Sequence, residues 1–409
     1  MFELRDYQQI AVKNGIEILK ANGILILNFE VRTGKTHIAL AIASNYQNTL
    51  FVTKKKAISS IESDYQTAEH CNKLTVINYE QLGKYKSDYD LVIFDESHGL
   101  GAFPKSNKKI KEAAKVCLNG CDVILMSGTL MPESNAQIFH QLWVSSCSPF
   151  KDFKNFYRWF ESFGKPKLKY TSYGTCNDYS DVSYDKIRPY IEPIILTKTQ
   201  GEAGFVSEIV EQVCTVIMQP STYNVIAKLK KDKVVEGKNG VVLADTAVKE
   251  MQKLHQLYSG TIKFEDGSRF VFDETKSKFI AQKFKNQKIA IFYKFIAELE
   301  AIKRHIDVTD NIHEFNTTDK SIALQIVSGR EGINLSAASA IVYYNIDFSA
   351  VSYWQSRDRM TTKDRVKSNI YWIFSHKGIE HQIYKAVMNK KDFTLQTFKK
   401  WHQNTNLGL

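Results

Sequence analysis

The stretch GILILNFEVRTGKTHIALAIA, from Gly23 to Ala43, decides the architecture of this chain. Its first part is a short aliphatic run, the pattern of a strand buried on both faces. Its last part, from Lys35 onward, places apolar residues at helical spacing. Between them stands Gly34-Lys35-Thr36. Strand, glycine turn and helix together form the context in which backbone N–H groups and a helix N-terminus cradle a phosphate. The full loop pattern, G-x-x-x-x-G-K-[ST], wants glycine at position 29, where this chain has Phe29. Arg32 stands where such loops favour a small residue. Read alone, the triplet fits chance as well as it fits a nucleotide site.

The same pattern repeats outward from this stretch. TLFVT (49–53), LTVINYEQL (74–82), DLVIFDE (90–96) and CDVILMSGT (121–129) read as further strands, and KAISSIESDYQ (56–66) as a helix. Short, nearly all-apolar strands separated by helices imply a parallel sheet covered on both faces, with right-handed crossovers. From Pro132 the pattern changes. NAQIFHQLWV and the aromatic DFKNFYRWFESFG read as helices, and KPKLKYTSYGTCNDYSD as loop. YIEPIILTKTQGEAGF then leads back toward a core. A second α/β pattern follows, with EIVEQVCTVIM, QKIAIFYKF, IALQIVSG, AIVYYNID and YWIFS as strands. STYNVIAKLKKDKVV, AVKEMQKLHQLYSG and IAELEAIKRHI read as helices. TIKFEDGSRFVFD alternates on both sides of Asp266-Gly267, a hairpin signal. The expected fold class is therefore α/β, in two lobes. The first spans 1–205 with a helical insertion at about 133–195. The second spans 206–409, with an accessory segment at 206–280 and a basic helical tail.

Composition narrows the functional class. Lys and Arg number 55 against 44 Asp and Glu, a net charge of +11. That excess points to a polyanionic partner, nucleic acid before membrane. No run of eighteen apolar residues occurs, which excludes an evident membrane span. MFELRDYQQIAV carries charges among its first residues and lacks a signal-peptide core. The six cysteines, Cys71, Cys117, Cys121, Cys147, Cys176 and Cys214, form no Cys-x-x-Cys pair. They read as reduced residues of an intracellular protein with no structural metal.

The chemistry gathers at LVIFDESHG, Leu91 to Gly99. Four apolar residues place Asp95 at the end of a strand, where its carboxylate can hold Mg²⁺ directly or through water. Glu96 beside it can orient and deprotonate an attacking water. With the phosphate loop some sixty residues earlier in the same sheet, the pair reads as the second half of a nucleotide site rather than an ordinary strand terminus.

Asp95-Glu96-Ser97-His98 resembles the Asp-Glu-x-His box of superfamily 2 helicases and nucleic-acid translocases. Further segments resemble that family's motifs in order. LRDYQ (4–8) resembles the adenine-reading motif, which implies that Gln8 bonds the adenine edge and that Arg5 or Tyr7 packs near the base. FVTKKKA (51–57) and VINYEQL (76–82) resemble segments that touch nucleic acid. LMSGTLMPES resembles the Ser-Gly-Thr-Pro segment that links ATP state to strand binding; Leu130 and Met131 separate Thr129 from Pro132, and Ser127 and Thr129 are expected to keep the role. IVSGREGINLSAASAIVYYN (326–345) resembles the motif that would contribute Gly332 and Asn334. YWQSRDRMTTKDR (353–365) resembles the arginine-finger motif, with Gln355 and Arg359. The family has a second arginine three residues further on, where this chain has Thr362; Arg357 and Arg365 are the substitutes within reach. Glu30 fits the family's habit of an acidic or small residue ahead of Gly-Lys-Thr, which moves the doubt from Phe29 to Arg32.

The resemblance implies two tandem RecA-like lobes with a small helical insertion, and a motor that uses ATP and Mg²⁺. Lys35 would stand between the β- and γ-phosphates, Gly34 would shape the turn, and Thr36 and Asp95 would hold the metal. Glu96 would serve as base, with Gln355 and Arg359 acting from the second lobe. The features lie closest to the remodelling and DNA-translocase branch, compact phage-encoded members among them. A monomer in the cytoplasm of a bacterium or a phage-infected cell is expected. Replication or repair proteins of phage or host are the expected protein partners, and DNA ranks ahead of RNA. Lys54 and Lys55 with Ser127 and Thr129 are the expected nucleic-acid contacts, largely independent of sequence. Tyr157, Trp159 and Phe160 have rings that stack bases or, as their helical spacing favours, pack a core. Two rival functions stand beside the motor: strand separation with the KFEDGSRFVF hairpin (263–272) as wedge, and ATP-gated binding with negligible turnover.

Overall fold

The computed structural model describes residues 4–67, 73–86, 88–171, 174–204, 208–237, 240–329, 333, 335–349, 352–353, 356, 360 and 367–389. The chain falls into two compact units, Met1–Phe205 and Val206–Leu409. Each holds a six-stranded parallel sheet flanked by helices, so the architecture is that of tandem RecA-like lobes.

The strands of the first unit are β1 (Ile24–Phe29), β2 (Asn48–Thr53), β3 (Lys73–Asn78), β4 (Leu91–Asp95), β5 (Asp122–Met126), a small hairpin β6 (Lys167–Thr171) and β7 (Gly174–Asp178), and β8 (Ile195–Lys198). The sheet order is β3-β2-β4-β5-β1-β8. Helix α1 (Asp6–Asn22) precedes β1 and α2 (Lys35–Ala43) follows the phosphate loop. Both periodicities are visible in β1. Leu25 and Leu27 pack with Leu19, Ile38 and Leu40 of the two helices. Ile24 and Ile26 point to the opposite face, against Ile110, Ile138 and Phe139. A strand covered twice has no place for a polar face, which is why its sequence reads as an unbroken apolar run.

Several readings change on contact with the structure. In the second unit, IVSG of IALQIVSG is the short helix Ile326–Gly329, and the last two residues of STYNVIAKLKKDKVV open the strand Val234–Gly237. KPKLKYTSYGTCNDYSD is not loop: its core is the antiparallel hairpin of β6 and β7, whose two-residue alternation is hidden by lysines and threonines. LTVINYEQL is strand only to Asn78; a 3₁₀ segment Tyr79–Lys84 then begins, capped by the Asn78 side chain. YIEPIILTKTQGEAGF does lead back to the core, where IILTK contributes β8, paired in parallel with β1. Trp159 and Phe160 of the helix Phe156–Phe163 are buried in the core, while Tyr157 is partly exposed.

The second unit contains β9 (Glu208–Val216), β10 (Val234–Gly237), β11 (Gly240–Leu243), β12 (Thr261–Lys263), β13 (Arg269–Val271), β14 (Ile289–Tyr293), β15 (Val308–Thr309), β16 (Ser321–Gln325), β17 (Ala340–Tyr343) and β18 (Lys367–Ser375). Its sheet runs β15-β16-β14-β17-β18-β9, again all parallel. Ala290 and Phe292 enter one core layer with Ile322 and Tyr343. Ile289 and Ile291 enter the other with Ala323 and Val342. The β12–β13 hairpin forms at Asp266-Gly267 as its alternation requires. Among the described residues, no helix is long and apolar enough to cross a membrane.

Candidate nucleotide site

The loop between β1 and α2 is shaped by residues that take its carbonyl oxygens. Tyr7 donates its hydroxyl to the Thr33 carbonyl at 2.9 Å, and Gln8 Nε2 donates to the same oxygen at 3.2 Å. The Glu30 carbonyl accepts from Thr33 Oγ1 at 2.7 Å. Lys35 Nζ donates to the Phe29 carbonyl at 2.7 Å and to that of Glu30 at 3.1 Å. Gln200 Nε2 donates to the Val31 carbonyl at 2.9 Å. A peptide whose carbonyl is held by protein on one side presents its N–H on the other, as an anion-binding turn requires.

Two loop residues adopt the left-handed conformation, Arg32 (φ 64°) and Gly34 (φ 80°). At Gly34 the left-handed backbone favours glycine, and a β-carbon would also displace the Gln8 side chain. Arg32 has a β-carbon and bears the strain. Its left-handed backbone explains why loops of this class favour a small residue at that point.

Gln8 is buried at the start of α1. Its Oε1 accepts the backbone N–H of Arg5 at 2.9 Å while its Nε2 reaches the loop. Arg5 caps the helix from an exposed position.

Asp95 ends β4 with both carboxylate oxygens engaged. Oδ2 accepts from Thr53 Oγ1 at 2.8 Å and Oδ1 from the Glu96 N–H at 3.0 Å. Burial and then the neighbouring Glu96 charge push its carboxyl upward, against the Thr53 bond and the Lys35 charge. Glu96 goes the other way. Burial opposes its ionisation, but the bond and charge of His98, with the charges of Lys35 and Lys54, outweigh it and hold the carboxyl low. Glu96 also has a left-handed backbone, φ 50°, the kind of strain that clusters at functional positions. β1 and β4 flank β5, and Gly128 just after β5 lies against Lys35 Nζ, so loop and box stand at the same end of one sheet.

His98 joins this site to the next segment. Its Nδ1 lies 3.3 Å from Glu96 Oε2 and 3.1 Å from Ser127 Oγ. Ser127 Oγ accepts the Thr129 N–H at 3.0 Å. Thr129 Oγ1 is buried without a partner among the described residues. Gly128 lies against the loop: a β-carbon there would sit 3.3 Å from the Phe29 carbonyl and 3.5 Å from Lys35 Nζ.

Sequence reasoning passed over three side chains. Thr53 closes β2 beside β4 and holds Asp95. Gln141, fully buried in the helix Ile138–Trp143, accepts from Ser97 Oγ at 3.0 Å and donates to the Leu130 carbonyl at 2.8 Å. Gln200 is the third. The strand-end position was the available signal for Thr53; nothing local marked the two glutamines.

Thr36 lies in the first turn of α2, half-buried; its hydroxyl and the Asp95 carboxylate are oxygen donors, the type that suits a hard divalent cation such as Mg²⁺. Lys54 follows β2, half-buried, and Lys55 is exposed in the 3₁₀ turn that comes next. Gly332, Asn334, Gln355 and Arg359 lie outside the described residues, as do Arg357, Thr362, Arg365, Cys71 and the lysines after Asn389.

No protein-family model matches the chain, and no curated protein matches it significantly. Among solved structures, it is similar to the Sulfolobus solfataricus SWI2/SNF2 ATPase core in complex with dsDNA, at 14% identity and a TM-score of 0.43, over 98% of this chain and 92% of that one. It is similar in the same degree to a structure of the Sulfolobus solfataricus SWI2/SNF2 ATPase core domain, over 95% of this chain and 89% of that one, at 14% identity and a TM-score of 0.43.

Proposed function

We propose that this chain is a superfamily 2 ATPase of the SWI2/SNF2 type, a motor that couples ATP hydrolysis to movement along DNA or to its remodelling. The observation that carries this reading is the unbroken path from loop to strand-binding segment: Lys35 acting on Asp95 and Glu96, Glu96 on His98, and His98 on Ser127. A simple phosphate-loop binding protein has no need of the last two links.

In this reading the loop N–H groups and Lys35 bind the phosphates, and Gly34 allows the close turn. Thr36 and Asp95 hold Mg²⁺, which supplies charge neutralisation on the phosphoryl oxygens when bound. Glu96, kept ionised by His98 and the lysines, orients the attacking water and takes its proton. His98 passes the consequence to Ser127 and, through its hydroxyl, to the Thr129 N–H. Both are expected from sequence to touch the strand, but the Ser127 side chain and Thr129 Oγ1 are buried, so strand contact is assigned to Lys54 and Lys55. Arg359 is assigned to charge on the γ-phosphate and Gln355 to its support; Gly332 and Asn334 belong to the same proposed set.

Translocation is preferred to strand separation for a specific reason. The hairpin that would serve as wedge contributes Phe264 to the core of the second unit, which leaves Phe270 as its exposed ring. The test is ATP turnover with no nucleic acid, with single-stranded DNA, with duplex DNA and with RNA. Stimulation by duplex, loss of turnover in Lys35→Ala, and triplex displacement without strand displacement are the expected results. A turnover rate that no nucleic acid changes would end the motor reading.

A further inference from the structure

The segment that leaves β8 is bonded to the phosphate loop at two points. The backbone N–H of Gln200 donates to Glu30 Oε2 at 2.6 Å, and its side-chain amide donates to the Val31 carbonyl at 2.9 Å. The segment is itself braced as a turn. Thr199 N–H donates to Glu202 Oε2 at 2.9 Å, and Glu202 N–H donates back to Thr199 Oγ1 at 3.2 Å. The Ala203 and Gly204 N–H groups close onto the Thr199 and Gly201 carbonyls. Gln200 is thus presented to the loop by a turn with its own hydrogen bonds.

Glu30 is where this turn and the catalytic lysine meet. Its carboxylate takes Gln200, and its carbonyl takes Lys35 Nζ and Thr33 Oγ1. One residue therefore joins a side chain that must reach phosphate to the last turn of the first unit. When Lys35 turns to a phosphate, the Glu30 and Phe29 carbonyls lose their ammonium donor. The loop at Glu30 and Val31 is then held by Thr33, by Gln200 and by the Lys198 carbonyl, which accepts the Glu30 N–H at 2.9 Å.

We propose that Gln200 is a positioning residue of the nucleotide site: with Glu30 it orients the phosphate loop and ties nucleotide occupancy to the 199–204 turn. The inference rests on the nucleotide-site reading given above. It predicts that losing the Gln200 side-chain donor weakens ATP binding rather than the chemical step, since Gln200 contacts the loop backbone and not Glu96.

The test uses the full chain, a fluorescent ATP analogue for equilibrium binding, steady-state turnover, and hydrogen exchange of the peptide covering 199–204 with and without ATP. Gln200→Ala removes the donor to Val31 and is expected to raise KM and the dissociation constant about two- to tenfold, the worth of one hydrogen bond, with kcat within about twofold. Gln200→Glu, which accepts but does not donate, is expected to behave like Gln200→Ala. Gln200→Arg restores a donor and is expected to recover binding. In the wild type, ATP is expected to change exchange in 199–204, and Glu30→Ala is expected to abolish that change. Thermal unfolding of each variant separates this effect from general destabilisation. If the wild type binds no ATP, the nucleotide-site reading itself fails. If it binds ATP but Gln200→Ala binds equally well, or the turn does not respond, the positioning role is overturned.

Discussion

The Gln8 side-chain nitrogen occupies the space of a missing β-carbon: an ideal Cβ on residue 34 would fall 2.1 Å from Gln8 Nε2. Any other residue at 34 would have to push the Gln8 amide aside and carry the left-handed backbone. Gly34→Ala adds a left-handed strain of roughly 1–2 kcal/mol to that clash. The expected outcome is loss of fluorescent-ATP binding by tenfold or more, about 1.4 kcal/mol, in a protein whose circular dichroism is unchanged. Binding at wild-type strength would show that Gln8 can vacate the space without consequence.

Arg32 answers a different question. Its φ of 64° means that the loop holds a left-handed residue there, a demand of the backbone. Arg32→Gly removes the strain and is expected to leave KM for ATP within about twofold, because glycine adopts this conformation freely. Arg32→Val, whose branched β-carbon tolerates it badly, is expected to raise KM clearly. A large drop in kcat for Arg32→Gly would instead assign the guanidinium a direct part in charge stabilisation.

Glu96 carries the proposed chemistry, held ionised by His98 and by Lys35 and Lys54. Glu96→Gln keeps size and removes the base. The expected result is a fall in kcat of roughly 100-fold or more, the usual worth of a general base, with ATP binding retained. His98→Ala releases Ser127 from the carboxylate and is expected to lower nucleic-acid stimulation more than basal turnover. Equal loss of both would place His98 in the chemistry alone.

How much of this was legible beforehand depends on the scale of the signal. β1, β4 and β5 announce themselves because a strand buried on both faces reads as an apolar run. Phosphate loop and acidic box are contiguous, so their chemistry is written in a few adjacent residues. Thr53, Gln141 and Gln200 are different. Thr53 meets Asp95 because β2 lies beside β4, and Gln200 meets Val31 because β8 pairs with β1. Such partners lie 42 and 169 residues apart in sequence. No local pattern encodes them. The β6–β7 hairpin escaped for the opposite reason: its alternation is local, but its polar composition looks like loop.

Gln141 gives a test of buried polar bonding. It holds Ser97 of the acidic box and the Leu130 carbonyl together, fully enclosed. Gln141→Leu leaves both groups without that partner, at a cost of about 1–3 kcal/mol each. Gln141→Glu can still accept from Ser97, but an ionised carboxylate cannot donate to Leu130. It is expected to be the less stable of the two in denaturant titration of residues 1–409, with the difference narrowing in acid as the new carboxyl protonates. Equal midpoints for both variants and the wild type would show that the bridge contributes nothing to stability.

The second unit carries the clearest pH signature. His255 is fully buried, with Nε2 2.5 Å from Asn345 Oδ1. Burial and then the Lys294 charge hold its imidazole well below the usual value, against the Asn345 bond. Asn345 Nδ2 in turn donates to Glu298 Oε1 at 2.6 Å. The unfolded chain takes up a proton on this histidine near pH 6.5 while the folded chain does not. Stability is therefore full above pH 6.5 and falls as the pH drops through it, at up to about 1.4 kcal/mol per pH unit for one proton. Glu298 acts in the opposite sense, because burial raises its carboxyl and the folded chain protonates it first as acid is added. The loss is expected to be steepest just below pH 6.5 and to flatten where Glu298 titrates. Denaturant midpoints between pH 7.5 and 5 measure the slope, and His255→Gln is expected to flatten the part just below 6.5. An unchanged slope in that variant would assign the acid sensitivity to other groups.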